Sequence, residues 1–486
     1  MPRRFLLVLL MSTGVLLAGL RIADHYGTFK LVAVKEPLKN FRVAAADPSS
    51  LQILKKSGKA EEFSLDQIAS LFPHEGFERR VDFWRSIYAE YSDHDVVFHD
   101  RDNLAVIYGV VHFPKGPYEA SSSERNQQKR TLEIKKAEIE AILSDMMRLG
   151  NSPARLGPQH RHMLSILNKA GYDQPSSKLF KHFSDNIRYQ RGVKNRFQAG
   201  VIRSGRYLAQ MEEIFERYGL PTELTLLPHV ESSFNYQAYS KVGAAGIWQF
   251  MPATGRQYLS VGHSIDERLS PLKATEAAAQ FLKRNQEVLR SWPLAVTAYN
   301  HGRAGMARAQ KQHGSDLPRI IQEYRSRTFG FASKNFYSEF LAAVEVAKNY
   351  KKYFGHLKLD LPLEFEMLPI RRTLHLSHLP DISADVLRDY NPELTSRVWS
   401  SKMLPGGFAL RVPVDKAEAL QAALKGSAGA ATLQPKSRKV VRHRVRPGEN
   451  LIAIASRFGV SARQIQQGNG IRNANRIYPG QVLAIH

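Results

Sequence analysis

Residues 220–255 read LPTELTLLPHVESSFNYQAYSKVGAAGIWQFMPATG and place one acid, Glu231, on the apolar side of a predicted helix. A helix over residues 222–234 would align the following side chains at spacings of three to four residues: Leu220, Leu224, Leu227, Glu231 and Phe234. Pro228 lacks a backbone N–H, so the sequence also allows a kinked helix or one that starts later. In either case an acid stands where a hydrophobic residue is expected.

A carboxyl group that faces an apolar interior is poorly hydrated in its charged form. Its pKa is therefore expected to rise towards the range of a general acid at neutral pH. The ordinary alternative for Glu231 is an acid on the surface of a helix, which is where most glutamates lie.

Two further motifs follow Glu231-Ser232-Ser233-Phe234 in the chain. These are GAAGIWQFMP at residues 243–252 and Ala298-Tyr299-Asn300. Together, the three motifs resemble the lytic transglycosylase family with the lysozyme-like fold. This resemblance implies a catalytic domain over about residues 199–350, closed by helices near residues 293–299, 317–327 and 338–350.

The resemblance also implies a reaction that needs a single acid. The next acids after Glu231 are Asp266 and Glu267, for which a turn or a helix cap is the expected role. Since a glycosidase ordinarily needs two carboxylates, the substrate must then supply the nucleophile. Glu231 would first protonate the glycosidic oxygen and then accept the proton of the C6 hydroxyl of the muramic sugar. A 1,6-anhydro ring would result, with assistance from the neighbouring N-acetyl group.

Residues that contact the substrate are carried over from the family by position, with Glu231 as the catalytic residue. They are Ser240, Gln249, Met251, Tyr299, Asn300 and Tyr337. His301 stands where the family more often has alanine, and we interpret it as a tolerated loop substitution. Trp248 and Phe250 are expected in the core. Gly243 and Gly246 would let the backbone approach a sugar chain closely.

The composition of the chain restricts which functional classes are possible. The chain has 486 residues, a formal net charge of +24 and no cysteine. Its length predicts three or four structural units. Without cysteine there can be no disulfide, thiolate metal site or cysteine nucleophile; we predict neither a metal nor an organic cofactor. The positive charge favours an anionic partner such as nucleic acid, anionic lipid or a carboxylate-bearing wall polymer.

Residues 1–24 predict an export signal or a retained membrane anchor. Arg3 and Arg4 precede a mostly apolar run over residues 5–20, and no convincing small-residue cleavage site follows it. We therefore expect the periplasm or cell envelope as the location, which argues against a nucleic-acid partner. The lipoprotein members of the family carry a cysteine after the leader, so the cysteine-free sequence predicts that this protein is not a lipoprotein.

Residues 25–198 are predicted to form a mostly helical region with one β-hairpin. A helix is expected over residues 77–92, and DVVFHDRDNLAVIYGVVHF at residues 95–113 predicts two strands around a turn. A loop over residues 114–128 and a helix over residues 131–149 should follow. The chain then reads as helical throughout residues 159–217.

The C-terminal third contains two copies of one unit. Isoleucine or valine followed by Ser-Ala recurs at residues 382 and 460, an asparagine at 391 and 469, and Pro-Gly at 405 and 479. Residues 440–486 resemble the LysM module, a βααβ fold that binds glycans containing N-acetylglucosamine, with His443 in the place of a frequent tyrosine. Residues 366–413 form a degenerate copy, and residues 425–439 read as a flexible linker.

The sequence thus predicts a multidomain α+β protein, mainly a helical lysozyme-like catalytic domain with small LysM-type repeats. Its expected partner is peptidoglycan, which the domain would cleave at MurNAc-GlcNAc bonds. Two alternatives stay open: a muramidase that uses water, and a non-catalytic wall-binding scaffold.

Overall fold

The computed structural model describes residues 62–149, 156–426, 441–446, 449–458, 465–466, 468–469, 471, 477–478 and 480–485. The predicted export segment and most of the predicted linker lie outside these ranges. Within them, none of the helices combines the length and hydrophobicity that crossing a membrane requires. The described residues form two compact units. The first contains those up to Glu364 together with Arg388–Ser401, and the second contains Phe365–Leu387 and those from Lys402 onward.

The N-terminal part of the first unit combines helices with one small sheet. Its elements are α1 (Glu78–Ala89), β1 (Asp95–Asp100), β2 (Ile107–His112), α2 (Ser122–Leu149), α3 (Pro158–Lys169), α4 (Ser177–Asp185) and β3 (Ile187–Arg191). β1 pairs antiparallel with β2, which confirms the predicted hairpin. Its other edge pairs antiparallel with β3, giving the strand order β2-β1-β3.

Two of the predictions for this region are wrong. The helix expected from residue 131 begins at Ser122, because Ser121 and Glu124 form a capping box with N···O distances of 3.2 and 2.7 Å. The stretch expected to be helical throughout residues 159–217 is interrupted by β3. Hydrogen bonding to the open edge of β1 outweighs the helical tendency of that short segment.

The rest of the first unit is almost entirely helical. Its helices are α5 (Lys194–Ser204), α6 (Leu208–Arg217), α7 (Leu227–Glu231), α8 (Pro252–Gly255), α9 (Pro271–Leu289), α10 (Trp292–His301), α11 (Arg303–His313), α12 (Leu317–Glu323), α13 (Phe331–Lys348) and α14 (Tyr350–Phe354). α13 packs against α1, α7 and α10 and lies at the centre of this arrangement. α11 was missing from the predicted closing helices, since it is short and rich in polar residues.

The segment before the predicted acid is a composite of two short helices. A 3₁₀ turn over Thr222–Leu226 leads into α7, which has Pro228 in its first turn, where a missing N–H costs nothing. The predicted single helix over residues 222–234 is therefore wrong. α7 ends at Glu231 because Ser233 and Phe234 both adopt positive φ, which a right-handed helix excludes.

The described residues of the second unit form three small antiparallel sheets. Its strands are β4 (Glu366–Ile370), β5 (Leu374–His375), β6 (Met403–Leu404), β7 (Phe408–Val412), β8 (Val441–Arg444) and β9 (Val482–Ile485). The pairs are β4 with β7, β5 with β6 and β8 with β9. The helices of the C-terminal third are α15 (Ala384–Tyr390), α16 (Ser396–Ser401), α17 (Val414–Gly426) and α18 (Leu451–Arg457).

The two predicted repeats differ in how they are assembled. Between β4 and β7 the chain forms β5, α15, α16 and β6 in that order, so the two helices of this copy have two strands on either side. Its residues 388–401 nevertheless group with the first unit, and the predicted copy at residues 366–413 is thus divided between two units.

The second copy has its own small core, which includes Leu451, Ile465 and Leu483. The side chain of Asn469 joins its helical part to its closing strand. Its amide nitrogen donates to the carbonyls of Ile465 and Ala484, at 2.8 and 2.7 Å, and its oxygen accepts from the N–H of Ala484, at 2.7 Å. These bonds account for an asparagine at this position of the unit.

Candidate active site

Glu231 is the last residue of α7, and its side chain is half-buried. Within the described residues its carboxyl has no hydrogen-bond or ion-pair partner. Burial alone raises the pKa of Glu231 to about 8, because nothing nearby compensates the charged form for its lost hydration. At neutral pH the group is therefore mostly protonated and able to donate a proton.

A second carboxyl lies near Glu231, on a helix that packs against α7. Glu339 is half-buried on α13, and burial together with repulsion from Glu231 raises the pKa of Glu339 to about 8. Like Glu231, it has no bonded partner in the described part of the chain. Spacing along the sequence did not reveal Glu339, because it comes from more than a hundred residues further along the chain, not from the vicinity of Asp266.

Two tyrosines, one buried and one half-buried, lie close enough to these carboxyls to interact with their charges. Tyr88 on α1 stacks on Phe197 with ring centroids 4.9 Å apart, and burial with the charges of Glu339 and Glu231 raises the pKa of its phenol. Burial and the charge of Glu231 also raise the pKa of Tyr299. Both phenols therefore stay neutral throughout the range in which the carboxyls titrate.

The loop that follows Glu231 is held in a strained backbone conformation. Ser233, Phe234 and Gln249 have φ of 51°, 54° and 48°, values that residues other than glycine rarely adopt. Ser232 Oγ donates to the carbonyl of Ile247 at 2.9 Å, and Arg203 donates to the carbonyl of Ser233 at 2.6 Å. These bonds fix the course of the chain beside the acid.

Ser240 and Gln249 both have half-buried side chains that bond to the loop itself. Ser240 Oγ accepts from the N–H of Ala244 at 2.8 Å. The amide nitrogen of Gln249 donates to the carbonyl of Gly246 at 2.8 Å, which leaves the side-chain oxygen available to a ligand. Met251 is also half-buried and caps α8. Ser240, Gln249 and Met251 all lie in the loop that follows Glu231.

The third motif, Ala298-Tyr299-Asn300, lies on α10. Tyr299 donates its hydroxyl proton to the carbonyl of Trp248 at 2.7 Å, so it links this helix to the loop while its ring stays close to Glu231. Asn300 accepts a hydrogen bond from Ser333 Oγ at 2.8 Å. The hydroxyl of Tyr299 can still accept a hydrogen bond through its lone pairs.

Three aromatic residues singled out in the sequence lie in the core. Trp248 is fully buried, donates to Thr275 Oγ1 at 2.9 Å and stacks on Phe215, and Phe250 is 3% exposed. Both confirm the expectation of core positions. Tyr337 is 1% exposed and donates to the carbonyl of Pro73 at 2.9 Å. Its side chain therefore has no surface to offer a substrate in this conformation.

A buried ion pair supports the loop that follows Glu231. Asp266 caps a 3₁₀ turn, as expected, and pairs with Arg268 at 2.7 Å. Arg268 also donates to the carbonyls of Gly243 and Phe250, at 2.7 and 3.0 Å. Both charges are thus satisfied internally, and Asp266 is not available for chemistry.

Glu339 and Tyr88 are the site residues that the sequence reasoning missed. Glu339 is the single charge among the buried residues from Phe336 to Val344 of α13, the same signal that identified Glu231. Tyr88 gave no such signal, because a tyrosine in an amphipathic helix is ordinary. Within the described residues no group of three His, Asp or Glu side chains converges as a metal site.

Two segments of the chain match known domain families. Residues 211–321 match the Transglycosylase SLT domain, and residues 443–486 match the LysM domain. The chain thus contains a lysozyme-like SLT transglycosylase domain and a LysM domain, and the predicted multidomain α+β fold class is confirmed.

The chain is also similar to individual curated proteins. A stretch of 303 residues is 30% identical to the membrane-bound lytic murein transglycosylase D of Escherichia coli strain K12, and covers 59% of this chain and 64% of that protein. The protein of the same name from Escherichia coli O6:H1 gives the same figures. A putative tributyltin chloride resistance protein of Alteromonas sp. strain M-1 is 33% identical over 105 residues, which are 21% of this chain and 51% of that protein.

This chain therefore spans less than two thirds of the length of these relatives.

Proposed function

We propose that this protein is a peptidoglycan lytic transglycosylase that cleaves the β-1,4 bond between MurNAc and GlcNAc without water. The observation that carries the proposal is the carboxyl of Glu231, half-buried, unpartnered among the described residues and protonated at neutral pH because burial raises its pKa to about 8. It belongs to a segment that matches the SLT domain.

Glu231 donates its proton to the glycosidic oxygen, and the bond from that oxygen to C1 of the muramic sugar breaks. Glu231, now a carboxylate, takes the proton of the C6 hydroxyl of the same sugar while O6 bonds to C1. The enzyme regains its starting protonation state, and no water is consumed. Ser240, Gln249, Met251, Tyr299 and Asn300 are proposed to hold the sugars near the acid.

Glu339 is the observation that favours a hydrolytic muramidase as the alternative, since a hydrolase needs a second carboxylate to activate water. The charge state of Glu339 argues against that role. Its pKa of about 8 leaves it mostly protonated at neutral pH, and a protonated carboxyl is not a base. The charge that Glu231 carries once it has given up its proton adds to burial in keeping Glu339 protonated, because the two groups cannot easily be charged together.

Mass spectrometry of the muropeptides released from purified peptidoglycan tests the proposal. We expect products that end in 1,6-anhydro-MurNAc. Products with reducing ends would establish the muramidase, and a protein that binds the wall but releases nothing would be a scaffold.

The rate of cleavage should fall as the pH rises through about 8, because Glu231 must start the reaction protonated. Replacing Glu339 with glutamine leaves a neutral group beside Glu231, and burial alone raises the pKa of Glu231, so the midpoint of this fall should stay in place. Tyr88 and Tyr299 also face Glu231, but they remain neutral in this range. Values of kcat/KM measured from pH 5 to 10 provide the check, because their pH dependence reports the pKa of the free enzyme. A midpoint that moves to lower pH in Glu339→Gln would contradict burial as the sole cause of the raised pKa of Glu231.

The LysM domain is proposed to hold the catalytic domain on the wall. Residues 425–486 contain eleven Lys or Arg and one Glu, a net charge of +10 that suits a polymer bearing carboxylates. We expect a chain ending at Gly426 to sediment much less with purified peptidoglycan than the full chain, and the binding of the full chain to weaken with added salt. Cleavage of short soluble glycan fragments should be unchanged, since tethering affects only local concentration. Equal sedimentation of the two chains would contradict this assignment.

A further inference from the structure

The first unit contains a groove beyond the loop that follows Glu231. It has a volume of about 370 Å³, and its walls include Tyr236, Tyr239, Arg388 and Trp399. One wall comes from the loop between Glu231 and Ser240, and the other from residues 388–401. The second wall lies outside the segment that matches the SLT domain.

Residues 388–401 are fixed against the SLT domain by bonds from several of its residues. Thr395 Oγ1 donates to the carbonyl of His263 at 2.6 Å, and the N–H of Asp266 donates to the carbonyl of Glu393 at 2.8 Å. Tyr236 donates to Asp389 at 3.1 Å across the groove. Because both walls are already in place, a ligand would not have to order them.

The walls of the groove contain aromatic rings whose polar atoms mostly have hydrogen-bond partners within the protein. The indole nitrogen of Trp399 donates to the carbonyl of Leu394 at 2.8 Å, and the hydroxyl of Tyr239 donates to Asp266 at 3.3 Å. Tyr239 is nevertheless 57% exposed, so its ring is open to solvent. Rings held by one polar edge and exposed on a face are suited to stacking on the apolar face of a sugar.

One guanidinium, that of Arg388, lies beside the aromatic wall of the groove. The two acids that bond the tyrosines, Asp266 and Asp389, are each paired with an arginine, Arg268 and Arg206. The guanidinium of Arg388 lies 5.3 Å from the centre of the Trp399 ring. A ligand stacked beside Trp399 would therefore meet a cation, which favours one that carries a carboxylate.

We propose that this groove binds a carboxylate-bearing amino-sugar segment of the same glycan strand that Glu231 cleaves. This inference rests on the proposed function, and the continuity of the chain supports it: Tyr239 directly precedes Ser240 and forms a β-bridge with Ala245 in the loop beside the acid. Residues 388–401, which belong to the degenerate repeat by sequence, thus extend the glycan-binding surface of the catalytic unit.

The test measures equilibrium binding to the full chain carrying Glu231→Gln, so that strands are not cut. The probes are fluorescently end-labelled glycan strands, either with their stem peptides or stripped of them. Adding Trp399→Ala should weaken binding of both strands about fivefold, whereas Trp399→Phe should retain most of the affinity. Arg388→Gln should weaken binding of the stripped strands more than that of the peptide-bearing strands, because removing the stem peptide frees the lactyl carboxylate of each muramic sugar. Arg397→Ala is the matched control, since Arg397 is exposed on the same helix but does not line the groove.

Unchanged affinity in Trp399→Ala for both strands would overturn the proposal. So would an equal loss in Arg397→Ala, which would indicate a general disturbance of α16. Because the LysM domain is identical in every variant, a difference in affinity between variants comes from the groove. Failure of the proposed function is a separate result: the unmutated protein would release no anhydro products while the effect of Trp399 on binding persisted.

Discussion

Replacing Glu231 with glutamine is expected to reduce the release of muropeptides by about a thousandfold or more, because an amide can neither donate the proton nor take it back. The fold should not suffer. Glu231 has no bonded partner among the described residues, and burial penalises its charged form, so the neutral amide should leave the melting temperature unchanged or slightly raised.

Glu213→Gln serves as the matched control, since Glu213 is exposed on α6. Its rate of muropeptide release and its thermal unfolding should equal those of the unmutated protein. Retention of more than about a tenth of the rate by Glu231→Gln would remove Glu231 from the centre of the mechanism.

The second large effect is expected from Gly246→Ala. Gly246 has φ of +75°, and a β-carbon there would lie 1.8 Å from the carbonyl oxygen of Arg268. The left-handed backbone costs an alanine roughly 1–2 kcal/mol, and displacing the backbone of Arg268 adds about 1–3 kcal/mol. Activity should fall as well, because this turn carries Gln249 and the carbonyl of Trp248 that Tyr299 binds.

Gly219→Ala separates the cost of the left-handed backbone from the cost of the close contact with Arg268. Gly219 has a similar φ of +68° but nothing within 4 Å of the added atom, so it should show only the backbone cost. Urea denaturation followed by tryptophan fluorescence measures both variants. If the two lose the same free energy of unfolding, the close approach of Gly246 to Arg268 contributes nothing to stability.

The sequence was informative about the site where the chemistry is local. The motif at Glu231, the glycine turn and the tyrosine of α10 are close enough along the chain, or distinctive enough, to be picked out together. The physical reason for two of these residues can also be stated: Glu231 is an acid among apolar residues, and Gly246 is a glycine at a position with positive φ. The core position of Trp248 followed from size and hydrophobicity alone.

The contribution of α13 could not be placed from sequence spacing. Glu339 approaches Glu231 only because α13 packs against α7, a contact between residues far apart in the chain. β3 was missed for the same reason, since its strand conformation depends on the open edge of β1. The grouping of residues 388–401 with the first unit also depends on tertiary bonds, such as that from Thr395 to His263.

The central claim is that Glu231 cleaves the strand without water. The most direct measurement is mass spectrometry of the products after digestion of peptidoglycan in water enriched in oxygen-18, by the unmutated protein and by Glu231→Gln. We expect anhydro ends that carry no label from the unmutated protein and no products from the variant. Labelled reducing ends would contradict the account, because they would show that water, and not the C6 hydroxyl, attacks the anomeric carbon.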